Sequence, residues 1–181
     1  KWNTNSVTYY VNTSGGPSGS LAAIQSAMQT WTDVSTSPFT FNYGGTTSST
    51  AYGTNDGIDI VCFGSINTTG VVGQNTYWFN TSSGQLGDSD VKFNTNYQWV
   101  TDGSANGYDV QNVATHELGH SLSLADLYSS ADTEKTMYGN TSNGETKRRT
   151  LEQDDIDGIT YLYPSSTSSP TVTVSSPNGG E

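Results

Sequence analysis

The sequence predicts an α+β domain in which five short strands and three helices surround one core. Three observations indicate this class. Apolar residues recur at helical spacing in some stretches, whereas other stretches are short apolar or alternating runs bounded by Gly, Asn and Ser. The chain of 181 residues is also long enough for one sizeable core. We expect this domain to occupy residues 1–163.

Five segments are typical of strands because each is short, rich in β-branched or aromatic residues, and bounded by turn residues. In chain order they are VTYYV at 7–11, FTFNY at 39–43, GIDIVCF at 57–63, NTYWF at 75–79 and DVKFN at 90–94. Cys62, the only cysteine, lies in the third segment on the same face as Ile58 and Ile60. It has no partner for an internal disulfide, so we interpret it as a buried structural thiol.

Two of the predicted helices have clear starting signals. The first begins at Ser20, a favourable N-cap, and presents one apolar face to the core. That face consists of Leu21, Ile24, Met28 and Trp31. The second begins at Asp109, another favourable cap, and continues through VQNVATHELGHSL at 110–122.

The third predicted helix follows the basic run KRRT at 147–150. Thr150 and Gln153 are expected to form its capping box, two aspartates in its first turn suit the helix dipole, and Pro164 ends it. The basic run itself is interpreted as a solvated loop, with the rim of a pocket as the alternative.

Composition and charge restrict the classes of function. Apolar residues make up 31% and charged residues 13% of the chain, and Ser, Thr, Asn and Gly fill the difference. This balance is typical of a secreted, extracellular protein with polar loops. The net charge of −11 argues against nucleic acid and anionic membrane surfaces as partners, because phosphate binding requires concentrated Lys and Arg. No run is long enough for a membrane span, and we expect a monomer.

The composition changes after Pro164. Residues 164–181 are rich in Ser, Thr and Pro, which predicts a linker and not a packed element. We expect this linker to lead to a C-terminal module that the sequence does not include, with a disordered tail as the alternative.

The segment HELGHSLSLAD at 116–126 contains both histidines of the chain. On a helix, His116 and His120 are one turn apart on the same face, so their imidazoles can bind a single zinc ion. Glu117 is adjacent to the first ligand, where a general base for a zinc-activated water belongs. A solvated helix with two histidines is the alternative, and the apolar VQNVAT before the motif argues against it.

Two histidines leave a tetrahedral zinc ion under-coordinated, so a third ligand is required. Asp126 is the preferred candidate. If the helix ends near residues 121–123, the chain can turn back and bring this carboxylate to the metal. Three downstream acids stay open as rivals, in a layout with a distant glutamate ligand: Glu134, Glu145 and Glu152.

These residues resemble the signature of the matrixins within the metzincin clan of zinc endopeptidases, H-E-x-x-H-x-x-G-x-x-H followed by a methionine turn. Here Ser123 stands in place of the glycine, and Asp126 replaces the last histidine, as in snapalysin-type members. KTMYG places Met137 at the turn. Other blocks resemble the family in the same order, from KWNTNSVTYYV at the start to LEQDDIDGITYLY at 151–163.

The resemblance implies a metzincin-like fold, with a mixed five-stranded twisted sheet, three helices and an active-site cleft. It implies His116, His120 and Asp126 as the ligands of one catalytic zinc ion. It also implies Glu117 as the catalytic residue and Met137 as a hydrophobic floor beneath the ion.

The resemblance further implies where a substrate and other ions bind. GDSDVKFNTNYQW looks like the family's antiparallel edge strand, so Val91, Lys92 and Phe93 are expected to pair with an extended peptide. Lys92 stands where the family has a histidine of its structural zinc site, so this second zinc is not expected. Asp88 and Asp90 are candidate ligands of a structural calcium ion, with solvated turn acids as the alternative.

The sequence thus predicts a secreted zinc endopeptidase that hydrolyses peptide bonds of an extended peptide or protein substrate. Two alternatives stay open. One is a zinc peptidase with a downstream glutamate as its third ligand, and the other is a non-catalytic binding or adhesion module stabilised by zinc. Ser123 motivates the second alternative, whereas Glu117 argues against it because a structural site has no need of a general base.

Overall fold

One mixed sheet and the helices packed against it make up the part of the chain that the computed structural model describes, residues 1–165. The sheet strands are β1 (Ser6–Asn12), β2 (Thr40–Thr46), β3 (Asp59–Gly64), β4 (Gly73–Phe79) and β5 (Leu86–Asn94). Their spatial order is β2-β1-β3-β5-β4, and only the β4–β5 pair is antiparallel. The predicted mixed five-stranded sheet is confirmed.

The described residues also contain the predicted helices. These are α1 (Ser20–Thr32), α2 (Val110–Ser121) and α3 (Gln153–Leu162). Two short strands, β6 (Trp99–Val100) and β7 (Tyr108–Asp109), pair just before α2, and a 3₁₀ turn, Lys147–Arg149, precedes α3. No helix in this part of the chain has the length and apolar character needed to cross a membrane. The linker expected at 164–181 lies, apart from its first two residues, outside the described residues.

The core lies between the sheet and helices α1 and α2. Strand β3 is buried along five of its six residues, as expected for an interior strand with a parallel neighbour on each side. Burial raises the pKa of the Cys62 thiol in this strand to about 11, in agreement with a buried structural cysteine. Trp31 of α1 is fully buried, and its indole N–H donates to the carbonyl oxygen of Thr115 at 2.8 Å. Helix α1 thereby holds the helix that carries both histidines.

The start of α2 agrees with the prediction, and the start of α1 differs from it. Asp109 caps α2 through its carboxylate, which accepts a hydrogen bond from the backbone N–H of Asn112 at 2.9 Å. Helix α1 has Gly19 as its N-cap, in the left-handed conformation, instead of Ser20. A glycine adopts this conformation without a Cβ clash, and no side chain caps this end of the helix.

The capping box predicted for α3 from Thr150 and Gln153 is wrong. The helix begins at Gln153, and the reciprocal hydrogen bonds of the box are made by Glu152 and Asp155. The hydroxyl of Thr150 donates to the carbonyl oxygen of Lys147 instead, within the preceding 3₁₀ turn. The sequence pattern placed the cap two residues too early because a glutamate is a less common N-cap than a threonine.

Strand β4, and not β5, lies at one edge of the sheet, and β2 lies at the opposite edge. Strand β5 has β3 on one side and β4 on the other, so its backbone groups pair in both directions. Val91 and Phe93 are fully buried, and Lys92 places its ammonium group 4.0 Å from the centroid of the Tyr52 ring. The prediction that Val91, Lys92 and Phe93 pair with a substrate is therefore wrong, because an interior strand has no unpaired backbone edge.

A buried polar cluster attaches the C-terminal end of α2 to the sheet. The hydroxyl of Ser121 accepts a hydrogen bond from the side-chain amide of Asn75 at 2.7 Å and shares another with the Tyr9 hydroxyl at 2.8 Å. The same amide nitrogen lies 3.1 Å from the carbonyl oxygen of Glu117. Because Asn75 belongs to β4, these bonds hold the histidine-bearing helix in a defined position against the free edge of the sheet.

Candidate metal centre

His116 and His120 project from one face of α2, with their ring centroids 4.8 Å apart. Nδ1 of His116 lies 2.8 Å from the carbonyl oxygen of Thr136, and Nδ1 of His120 lies 2.9 Å from that of Leu124. A carbonyl oxygen only accepts hydrogen bonds, so each Nδ1 is the protonated nitrogen. In the neutral imidazoles, both Nε2 atoms therefore have lone pairs available for a metal ion.

The chain reverses direction immediately after α2. Ser123 has a φ of 75° and is the only non-glycine residue with positive φ in the described chain. Its N–H donates to the carbonyl oxygen of His120 at 2.8 Å, and the N–H of Leu124 donates to that of Gly119 at 3.1 Å. These two bonds form a Schellman helix end, which directs the next segment back towards the histidines.

Asp126 meets the two imidazoles as a result of this reversal. Its Oδ1 lies 3.2 Å from Nε2 of His116 and 3.5 Å from Nε2 of His120. This oxygen is buried and has no hydrogen-bond partner, so three lone-pair atoms face one another, an arrangement that a cation stabilises. Ligand atoms at about 2.0–2.1 Å from a tetrahedral zinc ion lie roughly 3.3 Å apart, which both distances fit.

No other group in the described part of the chain offers three His, Cys, Asp or Glu ligand atoms within 4.8 Å of one another. The three rival acids have other partners. Glu134 lies 3.3 Å from the ammonium group of Lys147, and Glu145 lies 3.2 Å from Nε of Arg148. Glu152 caps α3. The structure thus brings Asp126 to the histidines and gives these glutamates structural contacts.

Glu117 lies in the cleft beside the candidate ligands and is buried. Burial raises the pKa of its carboxyl group, and the imidazoles of His116 and His120 oppose this shift. Gly73, the first residue of β4, faces this carboxylate, and a β-carbon there would come 2.5 Å from Oε1 of Glu117. The missing side chain at position 73 therefore lets the edge strand approach the carboxylate closely, a requirement that the sequence alone does not reveal.

Met137 is buried beneath α2, where Gly119 leaves room for its sulfur atom. The carboxylate of Asp155 holds this turn, because it accepts hydrogen bonds from the backbone N–H groups of Thr136, at 2.9 Å, and Met137, at 3.3 Å. Thr136 in turn accepts the hydrogen bond of His116. The sequence pattern did not reveal this contact, because Asp155 lies in the first turn of α3, where the helix dipole already explains an acid.

The candidate ligands and Glu117 line a cleft of about 510 Å³. One wall is the segment 69–75, which includes the start of β4, and another wall is α2. The segment 139–141, just after the methionine turn, completes the lining. An edge strand of the sheet, β4, therefore contributes to one wall of the cleft.

Arg148 lines the same cleft and is only 2% exposed. Its guanidinium lies 3.2 Å from Glu145 and donates to the carbonyl oxygen of Asn140. Arg149 forms an ion pair of 2.5 Å with Asp109, the cap of α2. The interpretation of the basic run as a solvated loop is wrong for these two residues, and the alternative of a pocket lining applies to Arg148.

The candidate calcium ligands, Asp88 and Asp90, accept hydrogen bonds from backbone N–H groups of the loop before β3. Asp88 accepts hydrogen bonds from the N–H groups of Asp56 and Gly57, at 2.9 and 2.6 Å, and Asp90 accepts one from Gly53 at 2.9 Å. The two carboxylates thus hold the loop before β3 against β5. Calcium binding at these residues stays a prediction.

A larger cavity, of about 760 Å³, lies beside the N-terminal segment and β1. Its acidic lining residues are Asp56 and Asp59, and no histidine, glutamate or basic residue of the described chain lines it. The larger cavity thus lacks the cluster of three possible metal ligands that lines the smaller cleft, so the smaller cleft is the candidate metal centre.

The chain is similar in sequence to known peptidases. The family model described as Matrixin matches residues 1–164. The chain is 33% identical to stromelysin-1 of Mus musculus over 181 residues, covering 96% of this chain and 35% of that protein. It is 43% identical to matrilysin of Homo sapiens over 74 residues, covering 41% of this chain and 26% of that protein.

Solved structures show the same fold. The structure of myroilysin is similar with a TM-score of 0.52 and 15% identity, covering 91% of this chain and 82% of that chain. Metalloproteinase-II from Bacteroides fragilis also gives a TM-score of 0.52, with 12% identity and coverages of 91% and 55%. The chain spans about a third or less of the length of the two sequence relatives above. Since the family model covers nearly the whole chain, the chain belongs to the matrixin family, with the catalytic-domain fold of the metzincins.

Proposed function

We propose that the protein is a secreted zinc-dependent endopeptidase that hydrolyses peptide bonds within extended segments of proteins. One observation supports this proposal above all. Nε2 of His116, Nε2 of His120 and Oδ1 of Asp126 lie close together, beside the buried carboxylate of Glu117. Relatives support it, among them the metalloendoproteinase 2-MMP of Arabidopsis thaliana, 32% identical over 142 residues.

His116, His120 and Asp126 would hold one zinc ion through two neutral nitrogens and one carboxylate, a ligand set suited to hydrolytic zinc. Zinc bound there supplies a Lewis acid that polarises a carbonyl oxygen and makes water more acidic. Glu117 accepts the proton of the attacking water, and burial, which raises its pKa, makes it a stronger base. The same carboxyl group then donates the proton to the leaving amine.

The substrate would bind along β4. This strand pairs with β5 on one side only, so its other edge has backbone N–H and C=O groups that an extended peptide can pair with. The start of β4 at Gly73 borders the cleft next to Glu117. Backbone pairing is largely independent of the side chains of the substrate. Peptides of many different sequences would therefore bind along β4 with a peptide bond beside Glu117.

We also propose that the protein is extracellular and monomeric. All groups that the mechanism uses come from one chain, so the chemistry requires no second copy. The polar composition and the net charge of −11 support a location outside the cell and a protein substrate over nucleic acid.

Glu117→Ala tests the mechanism. We expect this variant to retain one zinc ion per chain and to hydrolyse casein at least about 10²-fold more slowly, since general acid–base catalysis contributes about 10²–10⁴-fold. The measurements are metal content by mass spectrometry and the initial rate of casein hydrolysis. Glu134→Ala, which removes an exposed glutamate outside the cleft, is the matched control and should keep the full rate. Unchanged hydrolysis by Glu117→Ala would refute the proposed role.

Two companion measurements separate this mechanism from its alternatives. Asp126→Ala should lose stoichiometric zinc, whereas retention of the ion would favour a glutamate ligand from elsewhere in the chain. Wild-type activity should disappear with a zinc chelator and return with added zinc. A zinc-loaded protein without activity on any unfolded substrate would favour a binding module.

A further inference from the structure

Tyr128 lies at the cleft with its hydroxyl against a candidate zinc ligand, a contact that the mechanism above does not use. The hydroxyl donates to Oδ2 of Asp126 at 3.1 Å. Oδ1 of the same carboxylate faces His116 and His120. Oδ2 therefore accepts a hydrogen bond from the tyrosine, whereas Oδ1 faces the position where a metal ion would bind.

The surroundings of Tyr128 place its ring even though the side chain is 67% exposed. The preceding residue, Leu127, forms a β-bridge with the methionine turn: its N–H donates to Met137 at 2.8 Å, and its carbonyl oxygen accepts from Gly139 at 2.9 Å. The tyrosine ring lies directly over Gly139, where any β-carbon would overlap with it. A backbone bridge and a glycine thus hold an exposed tyrosine beside the cleft.

We infer that Tyr128 is a positioning residue, whose hydroxyl holds the Asp126 carboxylate in the orientation that presents Oδ1 alone to the zinc ion. The inference rests on the proposed function of this site. An aspartate carboxylate rotates easily about χ2, so without a partner on Oδ2 it would sample orientations that turn Oδ1 away from the metal-binding side.

The other two candidate ligands have comparable support. His116 and His120 each bond to a backbone carbonyl through the nitrogen that faces away from the metal-binding side. Asp126 has Tyr128 in the corresponding place. Groups that orient metal ligands in this way commonly change metal affinity by about 10–100-fold. Because this tyrosine is exposed to solvent, we expect an effect at the lower end of that range.

Tyr128→Phe tests the inference, since it removes the hydroxyl and keeps the ring over Gly139. We expect the zinc dissociation constant, measured by competition with a chromophoric chelator, to rise about tenfold. Tyr161→Phe, which alters an 86% exposed tyrosine of α3, is the matched control and should leave it unchanged. The melting temperature of the metal-free protein should be the same for both variants, because a purely structural role would lower it for Tyr128→Phe.

Cobalt(II) in place of zinc gives a second readout that does not depend on activity. Its visible absorption reports ligand geometry, so the spectrum of the Tyr128→Phe protein should differ from those of the wild type and of the Tyr161→Phe control. Zinc affinity within twofold of wild type for Tyr128→Phe would overturn the inference and leave the proposed function intact. Failure of the wild-type chain to bind zinc would instead refute the proposed function.

Discussion

Ser123 has a left-handed backbone because the chain must reverse at the end of α2 to return Asp126 to the histidines. At positive φ a β-carbon approaches the following carbonyl oxygen, so every residue except glycine is strained there. The hydrogen bonds of the helix end hold this conformation. Strain at this single residue is therefore a consequence of the chain reversal that brings Asp126 to the histidines.

Ser123→Gly should relieve this strain. We expect the free energy of unfolding, measured in urea without metal, to rise by about 1 kcal/mol. Ser123→Ala is the control, because it keeps the β-carbon and removes only an exposed hydroxyl. Equal stability of the glycine and alanine variants would show that the conformation is unstrained in the folded protein.

At the scale of elements, α3 and the methionine turn act as one unit through the carboxylate of Asp155. It accepts hydrogen bonds from Glu152 at the helix start and from Thr136 and Met137 in the turn. Thr136 orients the imidazole of His116. A helix that contributes no residue to the cleft lining therefore supports the position of a candidate zinc ligand.

Asp155→Ala should weaken both the fold and the metal site. It leaves buried N–H groups without acceptors, and each such group costs about 1–3 kcal/mol, so we expect a loss of about 2–4 kcal/mol in the free energy of unfolding. Zinc affinity should fall as well. Asp154→Ala, in the same helical turn, is the control and should cost less than about 1 kcal/mol, because its exposed carboxylate pairs with Lys135 at the surface. Similar losses for the two variants would contradict the role of Asp155.

The whole molecule has a net charge of −11, and part of its acidity is buried. Burial raises the pKa of Asp59 to about 7 and that of Asp90 to about 6, although backbone hydrogen bonds, such as that of Ser89 to Asp59 at 2.7 Å, oppose the shift. The folded state thus favours the neutral carboxyl groups. Their contribution to stability is fully present below about pH 4 and is lost as the pH rises through the folded pKa values.

Asp59→Asn should therefore stabilise the protein at alkaline pH. We expect its free energy of unfolding at pH 8 to exceed that of the wild type by about 2–4 kcal/mol, and the difference to shrink at pH 5. Urea unfolding at both pH values measures this, with Asp56→Asn, an exposed acid of the neighbouring loop, as the control. A wild-type free energy of unfolding that rises from pH 5 to pH 8 would contradict this prediction. If Asp88 and Asp90 bind calcium, added calcium should offset the loss in the wild type, because a nearby cation favours charged carboxylates.

The sequence predicted those features that depend on residues close together in the chain. Spacing of four residues on a helix placed His116 and His120 on one face, and the cap at Asp109 marked where that helix begins. Asp126 was the preferred third ligand because it follows the helix by only a few residues, but the sequence left Glu134, Glu145 and Glu152 open, and the fold brings Asp126 to the histidines. The five strands of the main sheet and the three α-helices followed from short-range periodicity, whereas the two-residue strands β6 and β7 did not.

Other features required contacts between distant parts of the chain. Spacing could not show that β5 lies inside the sheet and β4 at its edge, because both segments have the short apolar pattern of a strand. The burial of Arg148 and the close approach of Gly73 to Glu117 likewise join residues far apart in sequence.

By itself, then, the sequence determined the helix that carries the two histidines and Glu117, since local backbone geometry sets the distances within one helical turn. Only the tertiary structure decided which strands lie at the edges of the sheet and which groups contact the candidate ligands, such as Tyr128 against Asp126 and Thr136 against His116. The physical reason is that strand order and side-chain support arise from packing between segments that no local pattern connects.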